Sequence, residues 1–213
     1  MYKLYGFPVS NYFNMVKLAL LEKGLEFEEV FTRPSQEADY LEKSPMGKVP
    51  CLETSDGPLC ETNVILDFLE ETVPRPAFYP LDPYQKAKTR ELMKATELYV
   101  ELVARLLLAG VFFGETLSDE LKNDVRAKLE KGTAALNKLL RFAPYASGAE
   151  MTNADFMLYY TVALGNMLTQ QALGINLEDE IPGLADWIKL MDGRDTVQKI
   201  NADRDEALKA MAG

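Results

Sequence analysis

Three short stretches of the 213-residue chain carry groups able to hold and activate a small anionic ligand. The first is Ser10, which follows the loop Gly6-Phe7-Pro8-Val9 and precedes the segment Asn11-Tyr12-Phe13-Asn14-Met15-Val16. A serine at a helix start sets its hydroxyl beside unpaired backbone N–H groups at the positive end of the helix dipole, where an anion is stabilised. The same serine equally suits the ordinary N-cap of a helix that binds nothing. The second stretch is Pro45-Met46-Gly47-Lys48-Val49-Pro50, in which a proline comes directly before a strand-like run. That placement makes Val49-Pro50 a candidate cis peptide, against a base rate of only about 5–6% for such bonds. A cis bond would present the Val49 amide and carbonyl to a peptide-like ligand; a trans bond would make this a plain loop. The third is Glu61-Thr62, where the Thr62 hydroxyl and amide suit a carboxylate and Glu61 suits an ammonium group, or where the chain simply starts a helix with polar residues. Together the three stretches can hold both ends and the middle of one small zwitterionic peptide.

Residue spacing sets the strands and helices around these groups. Tyr2–Tyr5 reads as a strand, Asn11–Lys23 as a helix closed by Gly24, and Glu26–Phe31 as a second strand, a βαβ start. Cys51–Thr54 and Pro58–Cys60 flank Ser55-Asp56-Gly57, an Asp-Gly hairpin signal, and Thr62–Thr72 reads as a helix with Val64, Ile65, Phe68 and Leu69 on one face. Pro74, Pro76, Pro80 and Pro83 then crowd one extended connector, since proline removes a backbone donor and disfavours helix in the residue before it. Beyond it the pattern is helical, as in Leu92, Thr96, Tyr99, Val103, Leu106 and Leu107. The expected organisation is residues 1–73, a linker over 74–84, and an all-helical region over 85–213.

Composition removes much chemistry. The chain has no histidine, which excludes Ser-His-Asp and Cys-His nucleophile pairs, the HExxH zinc site and histidine-ligated haem. Two cysteines, Cys51 and Cys60, are too few for a cysteine zinc site or a four-thiolate cluster, so no metal is expected. A net charge of −10 offers no field for a phosphodiester backbone, and no apolar run approaches the roughly 18 residues of a membrane span. Without a signal segment, a cytoplasmic location with both thiols reduced and buried is expected; in an oxidising compartment the two could instead pair. Hydroxyls, carboxylates and backbone amides remain for catalysis.

The order LYGFPVSNYFNMVKLALLEKG, then SPMGKVPCLE, then ETNVILDFLEE, a proline linker and a helical region resembles the cytosolic glutathione S-transferases. Two further segments strengthen the resemblance: Met151-Thr152-Asn153-Ala154-Asp155-Phe156 reads as a capping box, and Ile181-Pro182-Gly183-Leu184-Ala185-Asp186-Trp187 resembles a late helix of that family. The fold it implies is an α/β thioredoxin-like N-terminal domain that binds glutathione, followed by an all-α helical C-terminal domain that lines the site for a hydrophobic electrophile.

Carried over residue by residue, the resemblance implies that Ser10 is the catalytic hydroxyl. Val49, held by cis Pro50, would pair with the backbone of the glutathione cysteine, and Glu61 and Thr62 would grip the γ-glutamyl end. Lys48 stands near the glycine carboxylate or is simply solvated. Tyr5 is a rival hydroxyl, and Asn11 and Tyr12 are near enough to assist. Tyr99 and Phe113 are the named candidates for the electrophile pocket, on a stripe that equally suits a helical core. Glutathione enters as co-substrate with no tightly bound cofactor, and the family resemblance implies a homodimer. Neither a Ser-Ser-Cys cluster of the maleylacetoacetate isomerase branch nor a CxxC motif is present. Two alternatives share the fold: a non-catalytic interaction or ligand-binding protein, and a glutathione-dependent isomerase or dehalogenase.

Overall fold

The computed structural model describes residues 1–212. The chain forms two compact units, one made of Met1–Ala77 together with the chain from Asp192 onward, the other of Phe78–Met191.

In the first unit four strands, β1 (Tyr2–Gly6), β2 (Phe27–Phe31), β3 (Cys51–Glu53) and β4 (Pro58–Cys60), form one mixed sheet in the order β2-β1-β3-β4. β1 runs parallel to β2 and antiparallel to β3, pairing Tyr5 with both Val30 and Cys51. Alternation splits the sheet into two faces. Leu4 and Leu52 point to one of them and are fully buried under helices α1 (Asn11–Glu22) and α3 (Thr62–Thr72), with the Phe68 ring of α3 edge-on to Tyr2. Lys3, Tyr5, Cys51, Glu53 and Cys60 point to the other face, toward the short helix α2 (Ala38–Leu41) and the residues just after it. The strands and helices expected from the sequence form, with α1, β2 and β3 one residue shorter at one end and β1 one residue longer; α2, only four residues long, carried no periodic signal.

The final helix of the chain, α11 (Asp195–Ala212), packs with this first unit, against α1. Two charge pairings hold it. The buried Lys17 ammonium donates to Glu29 at 2.8 Å and to Asp203 at 2.7 Å, and the Arg194 guanidinium makes a two-point pair with Glu22 at 3.0 and 2.6 Å. Lys23, also buried, donates to Glu70 at 2.9 Å and to the carbonyls of Val73 and Pro76 at 2.7 and 2.8 Å. These partners lie far from Lys17 and Lys23 in sequence, so residue spacing gives no sign of them.

The second unit is helical: α4 (Pro83–Thr96), a π turn over Glu97–Glu101, α5 (Leu102–Ala104), a 3-10 turn over Arg105–Leu107, α6 (Leu108–Phe113), α7 (Asp119–Leu139), α8 (Asn153–Leu173), α9 (Leu177–Glu180) and α10 (Leu184–Asp192). Asp82 and Ser118 cap α4 and α7, accepting from the Gln85 and Leu121 N–H groups at 2.9 and 3.1 Å. The sequence places Leu92, Thr96, Tyr99, Val103, Leu106 and Leu107 on one apolar stripe, and the structure keeps only part of it. Leu92, Thr96 and Leu107 are buried, but between Thr96 and Leu107 the core takes Val100 and Ala104, while Tyr99 and Leu106 stand 53% and 44% exposed. The wider π turn absorbs an extra residue and rotates the succeeding turns by one position. Gly132 of α7 fits against it, since a Cβ there would lie 2.2 Å from the Tyr99 carbonyl oxygen.

The capping box of α8 is present and does more than close a helix. The Thr152 N–H and hydroxyl donate to Asp155 Oδ2 at 2.8 and 3.1 Å, while the Ala146 N–H and the Trp187 indole N–H donate to Oδ1 at 2.7 and 3.0 Å. One fully buried carboxylate thereby joins the loop before α8, the start of α8 and α10.

Candidate active site

Ser10 lies between β1 and α1 and is the N-cap of α1, with extended backbone dihedrals of φ −77° and ψ 113°. Its N–H is tied to the Phe7 carbonyl at 2.9 Å, which bends the loop back on itself, and its Oγ accepts from the Phe13 N–H at a long 3.4 Å. An oxygen that accepts from the helix keeps its own O–H proton for another acceptor. The loop is pinned from below by the buried Asn14, whose side-chain amide donates to the Pro8 carbonyl at 2.8 Å. Gly6 is required where the loop leaves β1, because a Cβ there would meet the Phe13 ring at 2.2 Å.

Tyr5, the rival hydroxyl, is turned elsewhere. Its O–H donates to Glu53 Oε2 at 2.8 Å, and the Lys43 ammonium, itself paired to Glu53 at 2.5 Å, lies 5.2 Å from the ring centre. Burial and the donation to Glu53 raise the Tyr5 pKa, while the Lys43 and Tyr5 donors hold the Glu53 carboxyl below its ordinary range. Tyr5 belongs to a polar cluster on the α2 face of the sheet.

The Val49-Pro50 bond is cis. The residue before it is held rigidly: the Lys48 carbonyl accepts from the Tyr40 hydroxyl at 2.9 Å and the Ser44 hydroxyl at 2.8 Å, and the Lys48 N–H donates to Ser44 Oγ at 3.1 Å. Gly47, with φ +62°, lets this loop touch the chain at Ser35, where a Cβ would lie 2.0 Å from a carbonyl oxygen. Among the described residues, no hydrogen bond engages the N–H or carbonyl of Val49, a half-buried residue. The Lys48 side chain is exposed. Across the hairpin Glu61 adopts φ +68° and precedes Thr62, the buried first residue of α3. Glu61 makes no side-chain cap to α3 and is exposed, which leaves its carboxylate available.

Ser10, Val49-Pro50 and Glu61-Thr62 thus all sit at turns of the first unit, at the junctions β1–α1, before β3 and β4–α3. The sequence missed Asn14, Tyr40 and Ser44, which touch the backbones of these turns; none lies in a recognisable motif. Among the described residues no group of three carboxylates or thiols is placed to hold a metal ion, and no helix is long and apolar enough to cross a membrane. On the helical unit Tyr99 lines a groove of about 610 Å³ with Lys94, Leu98, Lys131, Ala135 and Lys138. Phe113 does not line that groove; it ends α6 with 74% of its surface exposed. The structure does not bring the two aromatics together in that groove.

Comparison with known proteins decides the family. Residues 4–77 match the N-terminal domain of glutathione S-transferases. A glutathione S-transferase of Pseudomonas putida (strain F1) is 46% identical over 210 residues, covering 99% of this chain and 96% of that protein. The chain belongs to the glutathione S-transferase family. A zeta-class glutathione S-transferase of Euphorbia esula is 31% identical, covering 73% of this chain and 72% of its own. The crystal structure of a glutathione S-transferase from Pseudomonas fluorescens superposes with a TM-score of 0.76 at 25% identity, covering 92% of this chain and 96% of that one. The cysteine-free start of α1 and the absence of histidine leave a glutathione S-transferase of this sequence with hydroxyls and amides for its chemistry.

Proposed function

We propose that this glutathione S-transferase activates glutathione with the Ser10 hydroxyl and the first-turn amides of α1, so that the thiolate attacks an electrophilic carbon. The observation that carries this reading is the contrast between two hydroxyls: Ser10 accepts from α1 and keeps its proton, whereas Tyr5 donates its own to Glu53. A thiol with an ordinary pKa of about 8.5 is mostly protonated at neutral pH, and each unit of depression requires about 1.4 kcal/mol of thiolate stabilisation. One hydroxyl donor and a helix N-terminus supply an effect of that order.

The N–H and carbonyl of Val49 pair with the cysteine residue of glutathione, the Thr62 hydroxyl and amide take the γ-glutamyl carboxylate, and Glu61 takes its ammonium. Lys48 is a solvated neighbour that adds long-range attraction for the glycine carboxylate. Tyr99 and Phe113, both exposed aromatics on the helical unit, contact the apolar part of the electrophile. Two copies of the chain form the active homodimer, and the protein works in the cytoplasm with glutathione as co-substrate.

The deciding experiment is steady-state turnover of a generic aromatic electrophile by Ser10→Ala and Tyr5→Phe variants. Turnover lost in the first and retained in the second supports the assignment; the reverse pattern transfers the role to Tyr5. Calorimetry with glutathione separates loss of activation from loss of binding.

A further inference from the structure

We propose that Cys51 and Cys60 form a reversible dithiol–disulfide site, oxidised by a low-molecular-weight disulfide of the glutathione type. The two residues are direct partners across the antiparallel β3–β4 pair. Thr54 N–H bonds the Gly57 carbonyl at 3.0 Å, so the 54–57 pair is a hydrogen-bonded one. Antiparallel pairs alternate, which makes 53–58 and 51–60 the non-hydrogen-bonded kind. Pro58, which has no N–H, fits that register. Side chains stand closest at such pairs, with Cα atoms about 4.5 Å apart, inside the range of about 4.4–6.8 Å that a disulfide spans.

Three further features favour exchange. Both cysteines are free, and both sulfurs converge on one acceptor, the Lys43 carbonyl, at 3.3 Å from Cys60 and 3.7 Å from Cys51. Cys60 is half-buried and reachable, whereas Cys51 is fully buried, so the pair has an attacking thiol and a protected resolving thiol. Hydrogen bonding with the Cys51 thiol lowers the Cys60 thiol to about 7, against its own burial and the charge of Glu61 and with help from the Ser44 hydroxyl, while the same interaction and burial push Cys51 up. A thiolate with a pKa near ambient pH is the best attacking group in exchange.

The step balances with an oxidised glutathione molecule as oxidant. The Cys60 thiolate attacks one of its sulfurs, that S–S bond breaks, and one glutathione leaves as thiolate with a mixed disulfide left on Cys60. Cys51 gives its proton to solvent and attacks the Cys60 sulfur, expelling the second glutathione. Two protein thiols become one disulfide and one glutathione disulfide becomes two thiols. The cross-link would tie the residue after Pro50 to the residue before Glu61, the two turns assigned to glutathione above, but the thiol chemistry itself is independent of that assignment.

The test incubates the full-length native protein with excess oxidised glutathione, quenches in acid, then unfolds it in an alkylating agent and measures intact mass. The expected product has lost both alkylatable thiols, is lighter than the reduced chain by two hydrogen atoms, and returns to two thiols with reduced glutathione. Cys51→Ser and Cys51→Ala should each stop at one glutathione adduct on Cys60, and Cys60→Ser should stay unmodified. Two alkylatable thiols remaining in the wild type, or a stable glutathione adduct in place of the disulfide, would overturn the proposal. Neither outcome bears on Ser10, which is tested by turnover.

Discussion

At the scale of single residues the site turns on what each hydroxyl already does. Ser10 and Tyr5 lie five residues apart and either type of hydroxyl can stabilise a thiolate, yet the sheet points Tyr5 toward Glu53 and the α1 cap leaves the Ser10 proton free. Ser10→Ala is expected to lower kcat about 100-fold, the order found when one preorganised donor to a developing anion is removed. It should also move the alkaline rise of kcat/KM to higher pH, because the bound thiol then ionises with less help. Ser10→Thr keeps both the cap and the donor and should recover most of the loss, while Tyr5→Phe should change kcat less than about threefold. Stopped-flow and steady-state rates across pH check all three. For the electrophile, Phe113→Ala and Tyr99→Ala should raise KM for an aromatic substrate with little change in glutathione affinity; an unchanged KM in both variants removes them from that role.

Single elements are joined by buried polar groups more than by their own propensities. Asp155 accepts four hydrogen bonds from the loop before α8, the α8 cap and α10. Truncation in Asp155→Ala leaves those donors buried without an acceptor and should cost about 3–5 kcal/mol. Urea unfolding followed by the fluorescence of Trp187, the single tryptophan, reads this directly. Burial raises the Asp155 carboxyl pKa against the pull of its four donors. The folded protein therefore binds this proton more tightly than the unfolded chain. As pH rises from the ordinary carboxylate range through the raised folded value, this group's contribution to stability falls, and it is lowest above both values. The difference between wild type and Asp155→Asn, measured across the acid range, should show that negative slope; a difference that grows with pH would contradict it.

Over the whole molecule, chain order and packing disagree in an instructive way. The first unit is completed by α11 from the far end of the chain, with Lys17 buried between Glu29 and Asp203. Removing both carboxylates in Glu29→Gln/Asp203→Asn strands a buried ammonium and should cost about 3–5 kcal/mol, whereas Asp203→Asn alone leaves one partner and should cost well under half of that. Denaturant midpoints of the two variants test the ordering. The net charge of −10 acts at the same scale, because glutathione is itself anionic. Its binding should tighten modestly as salt screens the overall field, provided that local helix N-terminal donors do the holding. Calorimetry that shows weaker binding at higher ionic strength would give Lys48 a larger part.

The amino-acid sequence alone was enough for the four strands, for α1 and α3, for the family, and for the three turns that carry Ser10, Val49-Pro50 and Glu61-Thr62. Those features are local: hydrophobic period, caps, turn residues and proline each act over a few positions, so residue spacing expresses them. Tertiary packing settled the rest. It turned Tyr5 toward Glu53, closed the first unit with α11, slipped the stripe after Thr96 by one residue through a π turn against Gly132, and set two cysteines nine positions apart face to face. Each of these depends on which distant surface a side chain or carbonyl meets, and that is set by packing the whole chain, which no short window of sequence contains.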